Sequence, residues 1–447
     1  MLCLDVGSTY TKGLLVDSDT GRLLHTCETP TTSSSDVWEG VRLVRERIAA
    51  RVRGTPDLLD EDAVRICSSA GGGLRLAIVG FEREVSSVAG AVVALSAGAR
   101  VVHATCGHLS PGEVAALRRS RPDLILLVGG TDGGNAEVVV RNASALASAD
   151  LEAAVVVACN RAAQEEVADL LRAGGCSAAT AENVLPRIGS LSPSSARAAI
   201  RTAFLDHVIG GKGLSAGPHF AASVRAATPD AVLDGVQVLR DVSDHDVMLI
   251  DIGGATTDVY SAIHPQGEDA TLRKEVVGTL WTSRTVEGDL GMRHSATTVV
   301  DGARREGLAD ADSPELQSWV ATVARAPQML AQTPEQVGAE RRLAGLAAVV
   351  AARRHARPAR PGGTPRALSE VGTLIGSGGV LRHADASAAD AVLQRVCADL
   401  GGGWRPPEAA YRAVDTAYLL CAVGLLSRDF PDAAAALANR VGRPQGR

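Results

Sequence analysis

Two stretches far apart in the chain repeat one pattern, and that repetition restricts the fold more than any other feature. The chain opens Leu2-Cys3-Leu4-Asp5-Val6-Gly7-Ser8-Thr9-Tyr10-Thr11-Lys12-Gly13, then Leu14-Leu15-Val16-Asp17. An apolar run ends in an acid, a turn of small residues follows, and a second apolar run leaves it, which is the pattern of a hairpin. Val247-Met248-Leu249-Ile250-Asp251-Ile252-Gly253-Gly254-Ala255-Thr256-Thr257-Asp258-Val259-Tyr260 does the same. Gly7 lets the backbone approach a ligand closely. Ser8, Thr9 and Thr11 offer hydroxyls, and successive turn amides make an anion-binding nest. Lys12 adds a compact positive charge, and Asp5 at the strand end suits a hydrated metal ion. Either stretch alone is also compatible with an ordinary polar hairpin turn. The pair implies two related domains facing one cleft.

Composition narrows the function classes. At 447 residues the chain is too long for one core, so two or three domains are expected. A net charge of −6 argues against a nucleic-acid partner, which wants a basic surface. Of 45 basic residues only Lys12, Lys212 and Lys274 are lysines. In a chain so biased towards arginine, a lysine kept in a tight turn points to a place where a guanidinium does not serve. The eight cysteines are scattered with no Cys-x-x-Cys pair, which disfavours a zinc ribbon. The chain begins directly in a strand pattern, and no apolar run reaches membrane-spanning length. The expectation is a reduced, cytoplasmic protein with no membrane partner.

Between the hairpins, Ser33 to Asp36 is a capping stretch for an amphipathic helix with Val37, Val41, Val44 and Ile48 on one face. Strands are expected at Ala63–Ser68 and Leu74–Val79, around Gly71-Gly72-Gly73, which either lines a cleft or marks a close bend. From about Pro122 the rhythm becomes strand, loop, helix: a strand at Asp123–Val128, a helix at Ala136–Ala147, a strand at Ala153–Ala158, and a helix after Asn160 as its cap. The loop Gly129-Gly130-Thr131-Asp132-Gly133-Gly134-Asn135 lacks dinucleotide-fingerprint spacing. It is either a second anion or partner site or a glycine-shaped connection. Thr285-Val286-Glu287-Gly288-Asp289-Leu290-Gly291-Met292-Arg293 is either a nucleotide or partner contact or a loop with a helix cap. Arg353 to Pro365 reads as a surface connection, and Tyr411 to Leu426 as a helix.

On the two hairpins the chain resembles the ATPase superfamily of actin, heat-shock chaperones and sugar kinases. Asp5, Gly7, Ser8 and Lys12 fall at the actin-like spacing of the first motif, and Asp251, Gly253, Gly254, Thr256 and Asp258 match the second. Ile375-Gly376-Ser377-Gly378-Gly379-Val380-Leu381 is similar to the adenosine motif, and Asp415 to Gly424 to the closing helix. The resemblance implies an α/β fold with two actin-like ATPase lobes around a nucleotide cleft and an inserted α/β unit in the first half. The implied boundaries are 1–121 for the first lobe, 122–210 for the insert, 211–245 for a connection, 246–410 for the second lobe, and 411–447 for C-terminal helices returning to the first.

The same resemblance implies ATP and Mg²⁺ as ligands. Ser8, Thr9, Thr11, Thr256, Thr257 and the turn amides of Gly7, Gly253 and Gly254 would bind phosphate oxygens. Lys12 would offset charge at the transferred phosphoryl group. Asp5 and Asp251 would hold the hydrated metal, Asp258 would help place it and the attacking water, and Gly376, Ser377, Gly378 and Gly379 would pass close to the adenosine. Taken with Ser69 to Gly72, Gly129 to Asn135 and Thr285 to Arg293, the hairpins resemble, over nearly the whole chain, the MutL accessory proteins of glutamate (methylaspartate) mutase. That implies an ATP-dependent, chaperone-like reactivase acting on subunits of an adenosylcobalamin-dependent mutase, with self-association left open. The chain lacks the cobalamin-binding Asp-x-His-x-x-Gly pattern of a mutase subunit. A small-molecule kinase of the same superfamily is the main alternative, although no acceptor pocket with a base is recognisable. The dispersed cysteines disfavour an iron–sulfur dehydratase activator, and a filament-forming ATPase is a third rival.

Overall fold

The computed structural model describes residues 1–7, 9–32, 36–52, 63–70, 74–82, 86–97, 99–209, 214–215, 218–264, 281–358 and 365–442. Ser8, Ser33 to Ser35 and Gly71 to Gly73 therefore lie outside the described residues. The chain forms two compact units. The first holds Met1–Asp234 and Gly424–Ala433; the second holds Gly235–His264, Trp281–Val423 and the chain from Ala434.

The first unit contains strands β1 (Leu2–Val6), β2 (Tyr10–Val16), β3 (Leu23–Pro30), β4 (Val64–Ser68), β5 (Arg75–Gly80), β6 (Arg100–Cys106), β7 (Leu124–Leu127), β8 (Ala154–Val157), β9 (Ala178–Thr180) and β10 (Val224–Ala227). The second contains β11 (Val247–Ile252), β12 (Thr257–Ala262), β13 (Thr282–Glu287), β14 (Thr373–Ser377) and β15 (Tyr411–Val414). They form three five-stranded sheets in a mixed α/β protein.

Two of the sheets have the same wiring. The first runs β3-β2-β1-β4-β10, the other β13-β12-β11-β14-β15. In each, the first three strands pair antiparallel and the last two join parallel. The repetition seen in the sequence is thus a repetition of topology. Central strands β1 and β11 are buried nearly throughout, as strands covered on both faces must be. Edge strand β3 alternates between partly buried and exposed residues, the pattern of a strand with one wet face.

The helix Val37–Ala49 packs on this sheet. The Asp36 carboxylate caps it by accepting from the Trp38 amide at 2.8 Å, and Val37, Val41, Val44 and Ile48 are its buried face, as their spacing predicts. It lies so close to β2 that a Cβ on Gly13 would overlap Val44.

The third sheet is entirely parallel, in the order β6-β5-β7-β8-β9. The strand-loop-helix rhythm read from Pro122 therefore begins earlier in the chain. β5 and β6 belong to this sheet, and β5 is one of its central strands. Leu76 and Ile78 face a core shared with the first sheet, while Ala77 and Val79 face the helices on the opposite side. Asn160 caps the next helical turn as expected, accepting from the Ala162 amide at 3.0 Å.

The second unit is built on the helix Pro334–Ala356, started by Thr333 and Gln336 in a capping box. From Leu343 onwards it is buried on almost every side, the state of a core helix rather than a surface one. Three consecutive residues near its end reach in three directions. Arg353 makes two 2.7 Å bonds to Asp399, Arg354 bonds Glu287 at 2.8 Å and Asp289 at 2.6 Å, and His355 sits between Thr285 Oγ1 at 3.0 Å and Ser261 Oγ at 2.8 Å.

Two segments differ from the pattern their sequence suggests. Arg353 does not start a surface connection: it is buried in the last turns of this helix, held by its carboxylate partner. Residues 359–364 of that stretch lie outside the described residues. Tyr411 to Leu426 is not one helix: Tyr411–Val414 is β15, parallel to β14, and the helix starts at Leu419. Asp415 accepts from the Leu419 and Leu420 amides at 2.7 and 2.9 Å, and Tyr418 takes a φ of 61°, so the helix is reset between strand and Leu419. No helix among the described residues is long and apolar enough to cross a membrane.

Burial, and behind it the Arg366 charge, holds His355 well below the usual imidazole range. A histidine kept neutral in the fold but free to protonate when unfolded lowers stability as pH falls through its unfolded pKa of about 6.5. Urea unfolding between about pH 7.5 and 5.5 should lose stability with a slope approaching ~1.4 kcal/mol per pH unit from this group below about pH 6.5. His355→Gln should flatten that slope; equal slopes in both proteins would remove His355 as its source.

Candidate phosphate-binding site

The two hairpins close in the same way. The Gly7 amide donates to Tyr10 O at 3.0 Å, and the Gly253 amide donates to Thr256 O at 2.9 Å. A Cβ would stand 2.8 Å from Tyr10 O at the first glycine and 3.0 Å from Thr256 O at the second, so both turns need the missing side chain. The register also repeats. Asp5 pairs with Lys12 across β1 and β2, and Asp251 pairs with Asp258 across β11 and β12. The first hairpin sets opposite charges across the ladder and the second sets like charges, which repel unless a cation intervenes.

Asp258 finds its cation on the other side, in Arg284 on β13. Its Nη2 donates to Asp258 Oδ1 at 2.9 Å, and its guanidinium lies over the Tyr260 ring at 5.5 Å. Burial works against the Arg284 charge, but Asp258, with Tyr260 behind it, outweighs burial and holds the guanidinium above its usual range. Arg284 is not recognisable from the sequence, because one more arginine in an arginine-rich chain carries no signal.

In the second hairpin the segment after β13 fixes the turn. Met292 N donates to Gly253 O at 3.0 Å, Arg293 N to Gly254 O at 2.8 Å, His294 N to Gly254 O at 3.1 Å and Ser295 Oγ to Ala255 O at 3.3 Å. Gly291 packs so tightly that a Cβ there would overlap the Ala255 backbone. In a planar trans peptide the N–H points opposite to the C=O. With the carbonyls of Gly253, Gly254 and Ala255 drawn to one side, the amides of Gly254, Ala255 and Thr256 are turned to the other. None of these three amides donates to another described residue. Gly254 and Ala255 are exposed and Thr256 is half-buried. Three successive amides turned to one side, with no partner among the described residues, are the arrangement an anion nest uses.

The Thr285 to Arg293 segment is thus the support behind the turn. Its acids are committed to Arg354. Burial raises Glu287 against that partner, while the Arg354 hydrogen bonds hold Asp289 below the usual carboxylate range.

Several expected ligand contacts are redistributed. Thr257 is buried and its hydroxyl donates to Leu290 O at 2.5 Å, so it is a strut and not a phosphate donor. Thr11, at the matching register position, is likewise buried, with Thr31 Oγ1 at 3.0 Å. Thr256 Oγ1 donates to Asp258 Oδ2 at 3.2 Å, which leaves its amide as the donor for an anion. Thr9, two residues after Gly7, is exposed in the first turn. Ser8 lies outside the described residues.

Asp5 is 2% exposed and accepts from Thr228 Oγ1 at 2.6 Å, with Lys12 Nζ at 3.7 Å. A hydrated magnesium ion needs an oxygen that water reaches, so Asp5 fits an anchor for Lys12 better than a metal ligand. Asp251, half-buried at the strand end beside the nest, fits the metal role. Lys12 keeps 22% of its side chain exposed.

In the adenosine-like motif, Gly376 makes room for Leu381 and Leu393, Ser377 is buried, and a Cβ on Gly378, at a φ of 93°, would overlap the Ile252 carbonyl. These residues pack the strand ends together. Gly379 alone of this set opens onto free space.

The contrast is measurable. Gly291→Ala should cost about 1–3 kcal/mol in urea unfolding through overpacking, whereas Gly379→Ala should stay within about 0.5 kcal/mol. Equal effects would contradict the assignment of Gly291 as the wedge behind the turn.

A family model described as MutL protein matches residues 1–441. Protein MutL of Clostridium tetanomorphum is 33% identical over 460 residues, covering 98% of each chain. Among solved structures, the ATP-dependent caprolactamase from Pseudomonas jessenii aligns with a TM-score of 0.40 and 13% identity, over 95% of this chain and 70% of its own. A nucleotide-free acetone carboxylase aligns with a TM-score of 0.33 and 15% identity over 64% of this chain, which spans about half, 47%, of that one. With a family match running from the first residue to 441 and a relative aligned end to end, the chain belongs to the MutL protein family.

Proposed function

We propose that this chain is an ATP-dependent accessory protein that binds and hydrolyses Mg-ATP and uses the cycle to reactivate an adenosylcobalamin-dependent mutase in the cytoplasm. The observation that carries the nucleotide reading is the Gly254, Ala255 and Thr256 amide nest, held by the contacts on its carbonyls. Phosphate oxygens are the natural occupants of such a nest at the end of a strand. Asp251 would hold a hydrated magnesium ion, which would supply charge neutralisation to the phosphates. Asp258, fixed by Arg284 and Thr256, orients the attacking water. Lys12, held by Asp5, offsets charge on the transferred phosphoryl group. The partner rests on the family: the sequence resembles accessory proteins of glutamate mutase, and the membership supports a mutase as the protein acted upon.

Nucleotide binding to the native state should raise the melting temperature. Millimolar Mg-ATP should therefore stabilise the protein, and an absent shift in a folded sample would refute nucleotide binding. Lys12→Ala should lower turnover by about 2–4 kcal/mol of barrier, with a smaller effect on binding, as for other preorganised donors. Asp258→Ala should slow turnover comparably. Unchanged phosphate release in both variants would place the chemistry elsewhere.

For the partner, the cognate mutase is inactivated by turnover and then given this protein, Mg-ATP and fresh adenosylcobalamin. Recovery should need all three and fail with Lys12→Ala. Recovery without ATP would contradict the reactivase reading, and a phosphorylated small molecule in place of free phosphate would favour the kinase alternative.

A further inference from the structure

A row of side chains crosses four strands of the first mixed sheet. In register, Lys12 on β2 faces Asp5 on β1, Asp5 faces Cys67 on β4, and Cys67 faces Ala226 on β10. Partners in register point to the same face of a sheet, and so does the residue two further along a strand. Thr228, two residues after Ala226, therefore ends the row at the far edge. Its hydroxyl reaches past Cys67 and donates to Asp5 Oδ1 at 2.6 Å, while Cys67 Sγ adds a weak donor to the same oxygen at 3.6 Å. Lys12 Nζ lies 3.7 Å from the other oxygen, Oδ2.

The two oxygens of Asp5 are thus divided between two neighbours. Thr228 takes one at hydrogen-bonding distance, and Lys12 stands beyond that distance from the other, paired with it by charge. Asp5 and Thr228 are both buried, so water competes little for either. A buried carboxylate with one oxygen tied resists turning about its Cβ–Cγ bond, and its second oxygen becomes a stationary charge. Thr228 is itself fixed, because it opens the helix Thr228–Ser243. Two residues on, buried Asp230 accepts from Arg197 Nη2 at 3.1 Å and from Arg201. Asp234, one turn later, accepts from the same two guanidiniums at 3.0 and 2.9 Å. Both arginines belong to the helix Ser194–Ala203, whose Ala196 and Ile200 pack into the core shared by the first and third sheets. The start of the Thr228 helix is therefore pinned to that core by two acids and two arginines.

We propose that Thr228 is a positioning residue for Lys12, acting through Asp5. The role rests on Lys12 acting at a bound phosphate. Without the Thr228 hydroxyl the carboxylate is free to turn, and the ammonium paired with it moves too. A charge misplaced at the transferred group lowers turnover and leaves the contacts that bind the nucleotide in place. Loss of the hydroxyl therefore falls on kcat and spares KM.

The chain has three lysines, Lys12, Lys212 and Lys274. Lysine labelled with ¹³C at Cε therefore gives a simple spectrum, in which the Lys12 signal is assigned by its loss in Lys12→Arg. In the ligand-free full chain, Thr228→Val keeps the shape, removes the hydroxyl and should move that signal; Thr228→Ser should restore it. In an Asp5→Asn background, Thr228→Val should leave the signal where Asp5→Asn alone puts it. A contribution of Thr228 to the helix start would act in both backgrounds, whereas positioning through Asp5 acts in one. In phosphate release, Thr228→Val should lower kcat about tenfold with KM for Mg-ATP within about twofold, and Thr228→Ser should regain most of the loss. An unmoved Lys12 signal in Thr228→Val, the same movement in both backgrounds, or a moved signal with wild-type turnover would overturn the proposal. A wild-type chain that releases no phosphate would count against the nucleotide reading alone, and the signal would still decide whether Thr228 positions Lys12.

Discussion

The main-chain bonds from Met292, Arg293 and His294 onto the carbonyls of Gly253 and Gly254 are the contacts on which the rest of the candidate site depends. A four-residue turn of glycine, alanine and threonine has no conformational preference strong enough to aim its own amides. Once its carbonyls are taken, peptide planarity aims them. The support is itself supported: Gly291 closes against Ala255, Thr257 ties to Leu290, and Arg354 holds Glu287 and Asp289 on either side of the bend. Donors fixed in this way need little reorganisation when an anion arrives, and preorganisation of that kind is the main source of electrostatic stabilisation in phosphoryl chemistry.

The two mixed sheets share strand order, turn closure and the register of the acid, yet their chemistry has diverged at single positions. Where Asp5 faces Lys12, Asp251 faces Asp258. Where Thr228, at the end of the fifth strand, donates to Asp5, Asp415 in the same place of the other sheet caps a helix instead. One topology therefore holds a buried acid with a lysine in one copy and two facing carboxylates, one of them paired with a buried arginine, in the other. The third sheet uses the same physical device with different residues, since buried asparagines hold the carbonyls of the Gly129 loop.

The hairpins were legible because their signal is local: an acid, a glycine two residues on, and apolar runs on both sides. The helix at Val37 was legible for the same reason, through its period and its aspartate cap. What escaped depends on partners distant in sequence. Nothing around Arg284 distinguishes it from the other arginines, and Thr228 acquires its role only when β10 lies parallel to β4, which in turn pairs with β1. Thr11 and Thr257 look like phosphate ligands in a motif, but strand alternation sends their side chains into the core. Tyr411 to Leu426 contains enough apolar residues to pass for one helix; β15 exists because β14 offers it a parallel edge. Gly376 and Gly378 look in the sequence like clearance for a ligand, and the clearance they provide is for Leu381, Leu393 and Ile252.

The end of the long helix has a mechanical meaning. Successive residues on an α-helix project about 100° apart, so Arg353, Arg354 and His355 together span about 200°, a little over half a circle. Each is tied to a different part of the second unit: Asp399, the Glu287–Asp289 bend, and the paired hydroxyls of Ser261 and Thr285. A rod keyed on three sides can neither spin nor slide without breaking a buried bond. The helix therefore works as an index pin, and the angular setting of β12, β13 and the turn between β11 and β12 is referred to its axis. Any force reaching that axis is delivered to the nest as a displacement of the whole turn, with its donors still in register.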